Sequence, residues 1–426
     1  MEQIDQRNRQ YAEILRRELI PAMGCTEPIA VAYCAARARA LLGALPDRAE
    51  VIASGNIIKN VKSVIVPNTG GARGLESAAA IGIVAGREDL GLEVLSGVTE
   101  PQVAAFRDWL ARSPVTVRKA EDGRLLSITV RVFSGSRSAA AQIADAHDRV
   151  VYLEQDGRVL LDKSEPAAAG QPDGSECLSV AGICEFAGQA DLEALRPILD
   201  RQIAYNSAIA DEGLRHSYGA NIGKVLLQTY GNDVKNRAKA RAAAGSDARM
   251  NGCELPVVIN SGSGNQGMTV SLPVLEYARE LQSSRDELYR ALIVANLIAI
   301  HVKAGIGCLS AYCGAVSAGA GAGAGIAWLR GGRLREVAHT VVNTLAITSG
   351  IVCDGAKASC AAKIAIAVEA GILGYDMFRM GQEFFGGEGI VSAGVENTIR
   401  NIGRLGRDGM RETDREILGI MTSCVD

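Results

Sequence analysis

Aromatic side chains make up only 4% of the 426-residue sequence, and that scarcity removes one class of function at once. Proteins that grip single-stranded nucleic acid stack its bases on aromatic rings, and too few are present to build such platforms. Excess charge of either sign is missing too. The 45 basic and 48 acidic residues leave a net −3, with no general attraction to nucleic acid or an anionic membrane. No basic cluster or recognition motif is visible. The opening residues, Met1 to Asn8, lack the charged-then-apolar order of a secretory signal. Long hydrophobic runs are also absent. The apolar stretch at 291–300 is too short to cross a bilayer, which takes about 20 residues. The stretch at 313–328 is mostly Gly and Ala, with weak transfer energy. Both read as buried core helices in a cytoplasmic protein.

What the sequence has in quantity is glycine, 48 residues, and cysteine, ten. Without an export signal, ten cysteines do not read as disulfides; reduced thiols that are kept serve metals or catalysis, or fill cores. Cys34, Cys177, Cys184, Cys253 and Cys424 read as small buried hydrophobes. The other five lie in Gly-rich polar turns. The chain length calls for more than one core, and its texture changes twice. Helical periodicity over 6–20 ends at Pro21, and a second helix runs from the Gly24–Pro28 turn to about Leu42, with Thr26 suited to its N-cap. From 49 to 165, strands are expected at 49–54, 62–66, 125–133 and 150–153, with helices at 76–84 and 99–112. Residues 167–175 read as a linker. Beyond 178 the chain is almost all helix, clearest at 192–213, 266–283 and 285–303. The small-residue run at 314–325 suits a buried helix that a neighbour approaches closely. The expected fold is α+β: N-terminal helices (1–48) packing on the catalytic domain, a mixed α/β domain (49–175), and a mostly helical, glycine-rich catalytic domain (176–426).

Four turns carry candidate chemistry. In Gly24-Cys25-Thr26-Glu27-Pro28, Cys25 sits at a helix start, where exposed N–H groups favour an anion and lower a thiol's pKa. Val66–Gly74 follows an expected strand; it reads as an ordinary loop, or as a nest offering Asn68, Thr69 and backbone N–H groups to a carboxylate. Asn260–Gly267 opens a helix and suits a small anion. No Walker lysine follows it, and its GxGxxG spelling lacks a βαβ context. The last is Gly307–Gly314 together with Ile351–Cys360, holding Cys308, Cys313, Cys353 and Cys360. Fe–S clusters take thiolates from such turns, whereas zinc prefers tighter C-x₂₋₄-C pairs than these. On spacing alone, a cluster, a zinc site and unrelated buried thiols stand as equals. Pyridoxal phosphate needs a Schiff-base lysine and a phosphate cradle; Lys59, Lys62 and Lys357 lie in turns, so the residues alone leave it open.

Taken together, five segments resemble the L-cysteine desulfidase family, relatives of the iron–sulfur L-serine dehydratases. They are Gly24–Pro28, Ser54–Gly71, Asn260–Gly267, Leu309–Gly319 and Cys353–Cys360, in the same order over nearly the whole chain. The resemblance implies a 4Fe-4S cluster held by Cys313, Cys353 and Cys360 with one iron open to substrate. Cys308 is a neighbour outside that set. It implies Cys25 as a catalytic acid or base, and substrate contacts from Thr26, Glu27, Asn68, Thr69, Ser263, Asn265 and Gln266. Lys59, Asn60, Lys62 and His301 read as structural or surface residues. The implied reaction removes sulfide from L-cysteine, giving pyruvate and ammonia. An iron–sulfur L-serine dehydratase is the alternative, and a non-catalytic iron–sulfur redox sensor is the alternative from another class. The expected partner is a small amino acid, with no nucleic acid and no membrane, and a homodimer is compatible with the chain.

Overall fold

The computed structural model describes residues 2–165, 174–307 and 309–423. The chain opens with α1 (Glu2–Glu18), a three-residue strand β1 (Pro21–Met23) and α2 (Thr26–Leu42). Then come β2 (Arg48–Ala53), α3 (Gly55–Val61), α4 (Gly74–Ala85), a 3₁₀ turn at Glu88–Glu93, α5 (Glu100–Arg112) and β3 (Val115–Lys119). An antiparallel meander follows: β4 (Ser127–Ser134), β5 (Arg137–Ala144), β6 (Val150–Gln155) and β7 (Arg158–Asp162). The strand order is β3-β2-β4-β5-β6-β7, with β2 and β3 parallel and the other pairs antiparallel. The parallel pair needs a crossover, which α3, α4 and α5 supply.

The rest is helical. α6 (Val180–Gln189), α7 (Leu192–Arg215), α8 (Ile222–Tyr230) and α9 (Val234–Met250) lead to a short strand, β8 (Pro256–Val258). Next are α10 (Gly264–Glu280), α11 (Arg285–Ile306), α12 (Gly314–Leu329), α13 (Leu334–Thr348) and α14 (Cys360–Arg379). α15 (Val395–Arg404) and α16 (Arg411–Ser423) close the described chain. The fold is α+β with a helical C-terminal part, as the sequence texture implies.

α12 forms the axis of the helical part, surrounded by α10, α11, α13 and α14. Every residue from Ala315 to Trp328 is buried. Its glycines set the spacing. A Cβ on Gly319 would lie 2.4 Å from the Ala367 carbonyl of α14, and one on Gly321 would lie 2.4 Å from the Ala295 carbonyl of α11. The small-residue run is therefore a contact surface on two sides rather than a linker. α11 is long and apolar enough to cross a membrane, but it is mostly buried by its neighbours, as a core helix is.

The two N-terminal helices pack differently. α1 lies against α6, α7 and α11, whereas α2 lies on β4 and β5 of the sheet. There the Cys34 thiol donates to the Ala141 carbonyl at 3.2 Å, so Cys34 is a packed core thiol. Cys184 and Cys253 are buried, Cys177 is partly exposed, and all the described cysteines are free thiols. Cys308, Cys424 and most of the expected linker lie outside the described residues.

One expected strand is not formed. Residues 62–66 run as loop after α3, and only Ile65 makes an isolated bridge, to Arg73. The β-branched residues there are present because Val64 and Val66 are fully buried, and burial alone does not make a strand without a partner to pair with.

Candidate active site

The small sheet places Cys25. Pro21, Ala22 and Met23 pair antiparallel with Val258, Val257 and Pro256. That ladder carries the turn after β1 to the C-terminal end of α9, where Cys25 packs with Val64 and Met250. Gly24 takes a positive φ of 58°, and a Cβ there would lie 2.1 Å from Pro67 Cγ. Only glycine lets the chain turn this tightly against the following loop.

Cys25 occupies the N-cap of α2, so Thr26 is the first helical residue and not the cap expected from sequence. The thiol is 2% exposed and donates to Glu27 Oε2 at 3.1 Å. Its pKa moves opposite to the helix-start expectation. Burial pushes it well above its ordinary value and the neighbouring Glu27 carboxylate adds to the effect, so Cys25 rests as a thiol.

Glu27 collects donors. It accepts from Asn60 Nδ2 at 2.9 Å on Oε1, and from the Cys25 thiol and Thr26 hydroxyl, each at 3.1 Å, on Oε2. Burial opposes its ionisation. His147 and Arg249 nearby, with the Cys25 hydrogen bond, outweigh that and hold the carboxyl well below its usual range. His147 comes from the β5–β6 hairpin tip and is 8% exposed. Its Nε2 stands 3.9 Å from Glu27 Oε1 and has no hydrogen-bond partner among the described residues. The ring lies against Gly262 of the Asn260–Gly267 turn, 3.3 Å from where a Cβ would be. The sheet and the helical part thus meet at the site.

A pH dependence follows from Glu27. An unfolded glutamate titrates near 4.5, and the folded carboxyl titrates lower. The anion therefore contributes stability above that pH, and the contribution is lost as pH falls below it. Glu27→Gln is expected to lower stability at pH 7, with the gap to the native protein closing below about pH 4.5. Denaturant unfolding of both proteins over a pH series reads that gap.

The three late cysteines line the same cavity as Cys25 and Glu27. Cys313 caps α12 and Cys360 is the first residue of α14. Cys353 lies on a short extended segment paired with the one that holds Cys313. Cys313 N–H donates to the Ile351 carbonyl at 3.1 Å, and Cys353 N–H to the Ala311 carbonyl at 2.6 Å. Burial, then the proximity of Cys353 and Cys360, push the Cys313 thiol up to about 12. Burial raises Cys360 as well. Asp354, ion-paired to Lys357 and Lys363, braces the segment between Cys353 and Cys360.

Among the described residues, no group of three or more His, Cys, Asp or Glu side chains converges on one metal ion, as a zinc site requires. Cysteines that hold a cubane each bind a different iron, so their sulfurs stand apart around a shared space. Three neighbouring thiols on one cavity fit that pattern. Four helix starts also face the cavity: α2 at Cys25, α10 at Ser263, α12 at Cys313 and α14 at Cys360. Their N-terminal partial charges suit an anionic group and a carboxylate.

The remaining sequence candidates divide. Ser263, Asn265 and Gln266 line the cavity. Thr26 does not line it; its buried hydroxyl serves Glu27. Asn68 and Thr69 do not line it either. Asn68 Nδ2 donates to the Leu95 carbonyl at 2.6 Å, and the fully buried Thr69 hydroxyl donates to the Val66 carbonyl at 2.7 Å. Thr69 closes the loop on itself, Asn68 ties it to the segment at Leu95, and Pro67 between Val66 and Asn68 buttresses Gly24 from behind. Lys59 and Asn60, read from sequence as structural or surface residues, are buried in the cavity wall, Lys59 in an ion pair with Asp414 of α16. Lys62 is exposed, and His301 pairs with Glu396 away from the cavity. Sequence reasoning missed His147, Arg249 and Tyr312 as lining residues. Arg249 is 2% exposed, its Nη1 donates to Asn265 Oδ1 at 3.1 Å, and its Nε and Nη2 have no partner among the described residues.

A buried polar cavity with convergent thiols, a guanidinium and a carboxylate defines a small-molecule enzyme site rather than an interaction module. Residues 89–419 match the serine dehydratase alpha chain family, and the chain belongs to it. The class is therefore an iron–sulfur lyase of the serine dehydratase type. A UPF0597 protein of Desulfitobacterium hafniense is 55% identical over 422 residues, covering 99% of this chain and 98% of the relative. One from Lachnoclostridium phytofermentans is 51% identical, covering 96% and 98%. One from Bacteroides thetaiotaomicron is 39% identical, covering 98% and 99%. These matches bear out the iron–sulfur serine dehydratase side of the resemblance and do not support the cysteine desulfidase name.

Proposed function

We propose that the chain is an L-cysteine desulfidase, eliminating sulfide from L-cysteine to leave pyruvate and ammonia. The observation that carries it is the shared cavity, lined by Cys313, Cys353 and Cys360 together with Cys25, Glu27 and His147. In this reading the three late cysteines hold a 4Fe-4S cluster, which when bound supplies a Lewis-acid iron that makes the β-substituent a better leaving group.

The chain's own residues supply the rest. The substrate carboxylate lies toward the helix starts, where N–H groups and dipoles favour an anion. His147 Nε2 takes the α-proton, with the Glu27 carboxylate beside it to stabilise the positive ring that forms. The electron pair of the Cα–H bond becomes the Cα–Cβ double bond, and the Cβ–S bond breaks with its pair on sulfur. Cys25, which carries its proton in the hydrogen bond to Glu27, is placed to protonate the departing sulfide. The aminoacrylate left behind becomes an imine, and water hydrolyses it to pyruvate and ammonia. Burial of the site keeps stray water from the reacting carbon until release.

L-serine dehydration is the second reading, favoured by the family match. The same steps apply with water as the leaving group. Protein purified and assayed without oxygen distinguishes them through kcat/KM for L-cysteine and L-serine. A higher value with L-cysteine, with sulfide equal to pyruvate, supports the first reading. A higher value with L-serine replaces it by the second, and no pyruvate from either ends both.

A further inference from the structure

The cavity wall contains buried polar atoms that lack partners among the described residues; His147 Nε2 and Tyr312 Oη can act either way, and those of fixed polarity sort by type. The donors are on Arg249: Nε and Nη2 are both buried and unpartnered. These two N–H groups form one edge of the guanidinium fork, the edge that meets both oxygens of a carboxylate. Arg249 is 2% exposed, and its charge acts on Glu27 without a direct ion pair to it among the described residues. The Glu27 charge nearby does not fill that edge, and a buried fork with no acceptor on it is costly, so the edge suits an anion that arrives. Gly264 makes the placement possible, since a Cβ there would lie 2.4 Å from Arg249 Nε.

The acceptors are on two amides. Asn60 is 5% exposed and Gln266 is 6% exposed; both line the cavity, and Asn60 Oδ1 and Gln266 Oε1 are buried without a partner. The Asn60 orientation is fixed by chemistry, because its other amide atom bonds Glu27 Oε1 and an ionised carboxylate only accepts. Glu27 adds negative charge beside these acceptors.

We infer that Arg249 binds the substrate's α-carboxylate through Nε and Nη2, and that Asn60 Oδ1 and Gln266 Oε1 receive its α-ammonium. The site therefore selects an α-amino acid zwitterion over a simple carboxylate or amine. This inference rests on the elimination reading for its choice of site, and its test does not depend on turnover.

The probe is L-alanine, which has no leaving group on Cβ, titrated into the full-length protein by calorimetry without oxygen. L-alanine should bind, while propionate, without the ammonium, and ethylamine, without the carboxylate, should bind at least about tenfold more weakly. Arg249→Met should weaken L-alanine binding roughly 10- to 100-fold, the range for one bidentate charged contact. Gly264→Ala, which displaces the guanidinium while keeping its charge, should weaken it in the same direction. If Arg249→Met does not fold, Arg249→Lys carries the comparison, with the bidentate edge lost and the charge retained. Propionate binding as tightly as L-alanine, or full L-alanine affinity in the Arg249 variants, would overturn the assignment. Protein that makes pyruvate yet shows no L-alanine binding overturns it alone. Selective L-alanine binding without pyruvate from any substrate supports it and removes only the elimination reading.

Discussion

Cys313→Ala protein, purified without oxygen, is expected to lose iron, sulfide and visible colour together, and with them the elimination. Cys313 caps α12, is hydrogen-bonded through its backbone to the Cys353 segment, and lines the cavity with Cys353 and Cys360. Alanine is a tolerable residue there, because the cap makes no side-chain hydrogen bond. The helix should persist while one ligand is gone. Lewis-acid stabilisation is worth several kcal/mol, so the rate should fall by about a thousandfold or more. Far-ultraviolet circular dichroism checks the fold, and iron and acid-labile sulfide analysis checks the cluster. A variant that keeps native iron content and activity would remove Cys313 from the ligand set.

His147→Ala is expected to keep the cluster and lose the proton transfer. The ring is supplied by a hairpin tip, so its removal disturbs neither the helical bundle nor the three late cysteines. The general-base contribution is about 10²- to 10⁴-fold, and it should appear in kcat with KM little changed. Exchange of the substrate α-proton with deuterated solvent should fall in parallel. Activity within a few-fold of the native protein would move the base to another group, and Cys25→Ser would then be the next comparison.

Part of this was legible in the chain. The helical half reads clearly because α10, α11 and α12 are long stretches of apolar or small residues. Glycine at 319 and 321 signals close helix contact, and the backbone distances bear that reading out. Cys25, Cys313, Cys353 and Cys360 stand out because each lies in a short polar or Gly-rich turn, three of them at the start of a helix. The strand at 62–66 was misread because β-branched residues mark burial as well as pairing. Asn68 and Thr69 lie off the cavity for a related reason: a polar turn offers its side chains to backbone carbonyls as readily as to a ligand.

His147 and Arg249 carried no local signal. One sits at a hairpin tip and the other near the end of an alanine-rich helix, and neither belongs to a motif. They reach the cavity through tertiary arrangement alone: the β1–β8 ladder brings Cys25 to the end of α9, and the sheet lays the β5–β6 tip on Gly262. The thiol at Cys25 teaches the same lesson in energetic form. A helix start favours the thiolate by a modest amount, whereas full burial next to a carboxylate opposes it more strongly.

The most direct test of the account is Mössbauer spectroscopy of ⁵⁷Fe-loaded, anaerobically prepared protein before and after addition of L-cysteine. The account predicts a 4Fe-4S spectrum in which one iron site alone changes its parameters when the amino acid is added. A spectrum that stays the same in the presence of L-cysteine and L-serine, or a protein that holds zinc and no cluster, would contradict it.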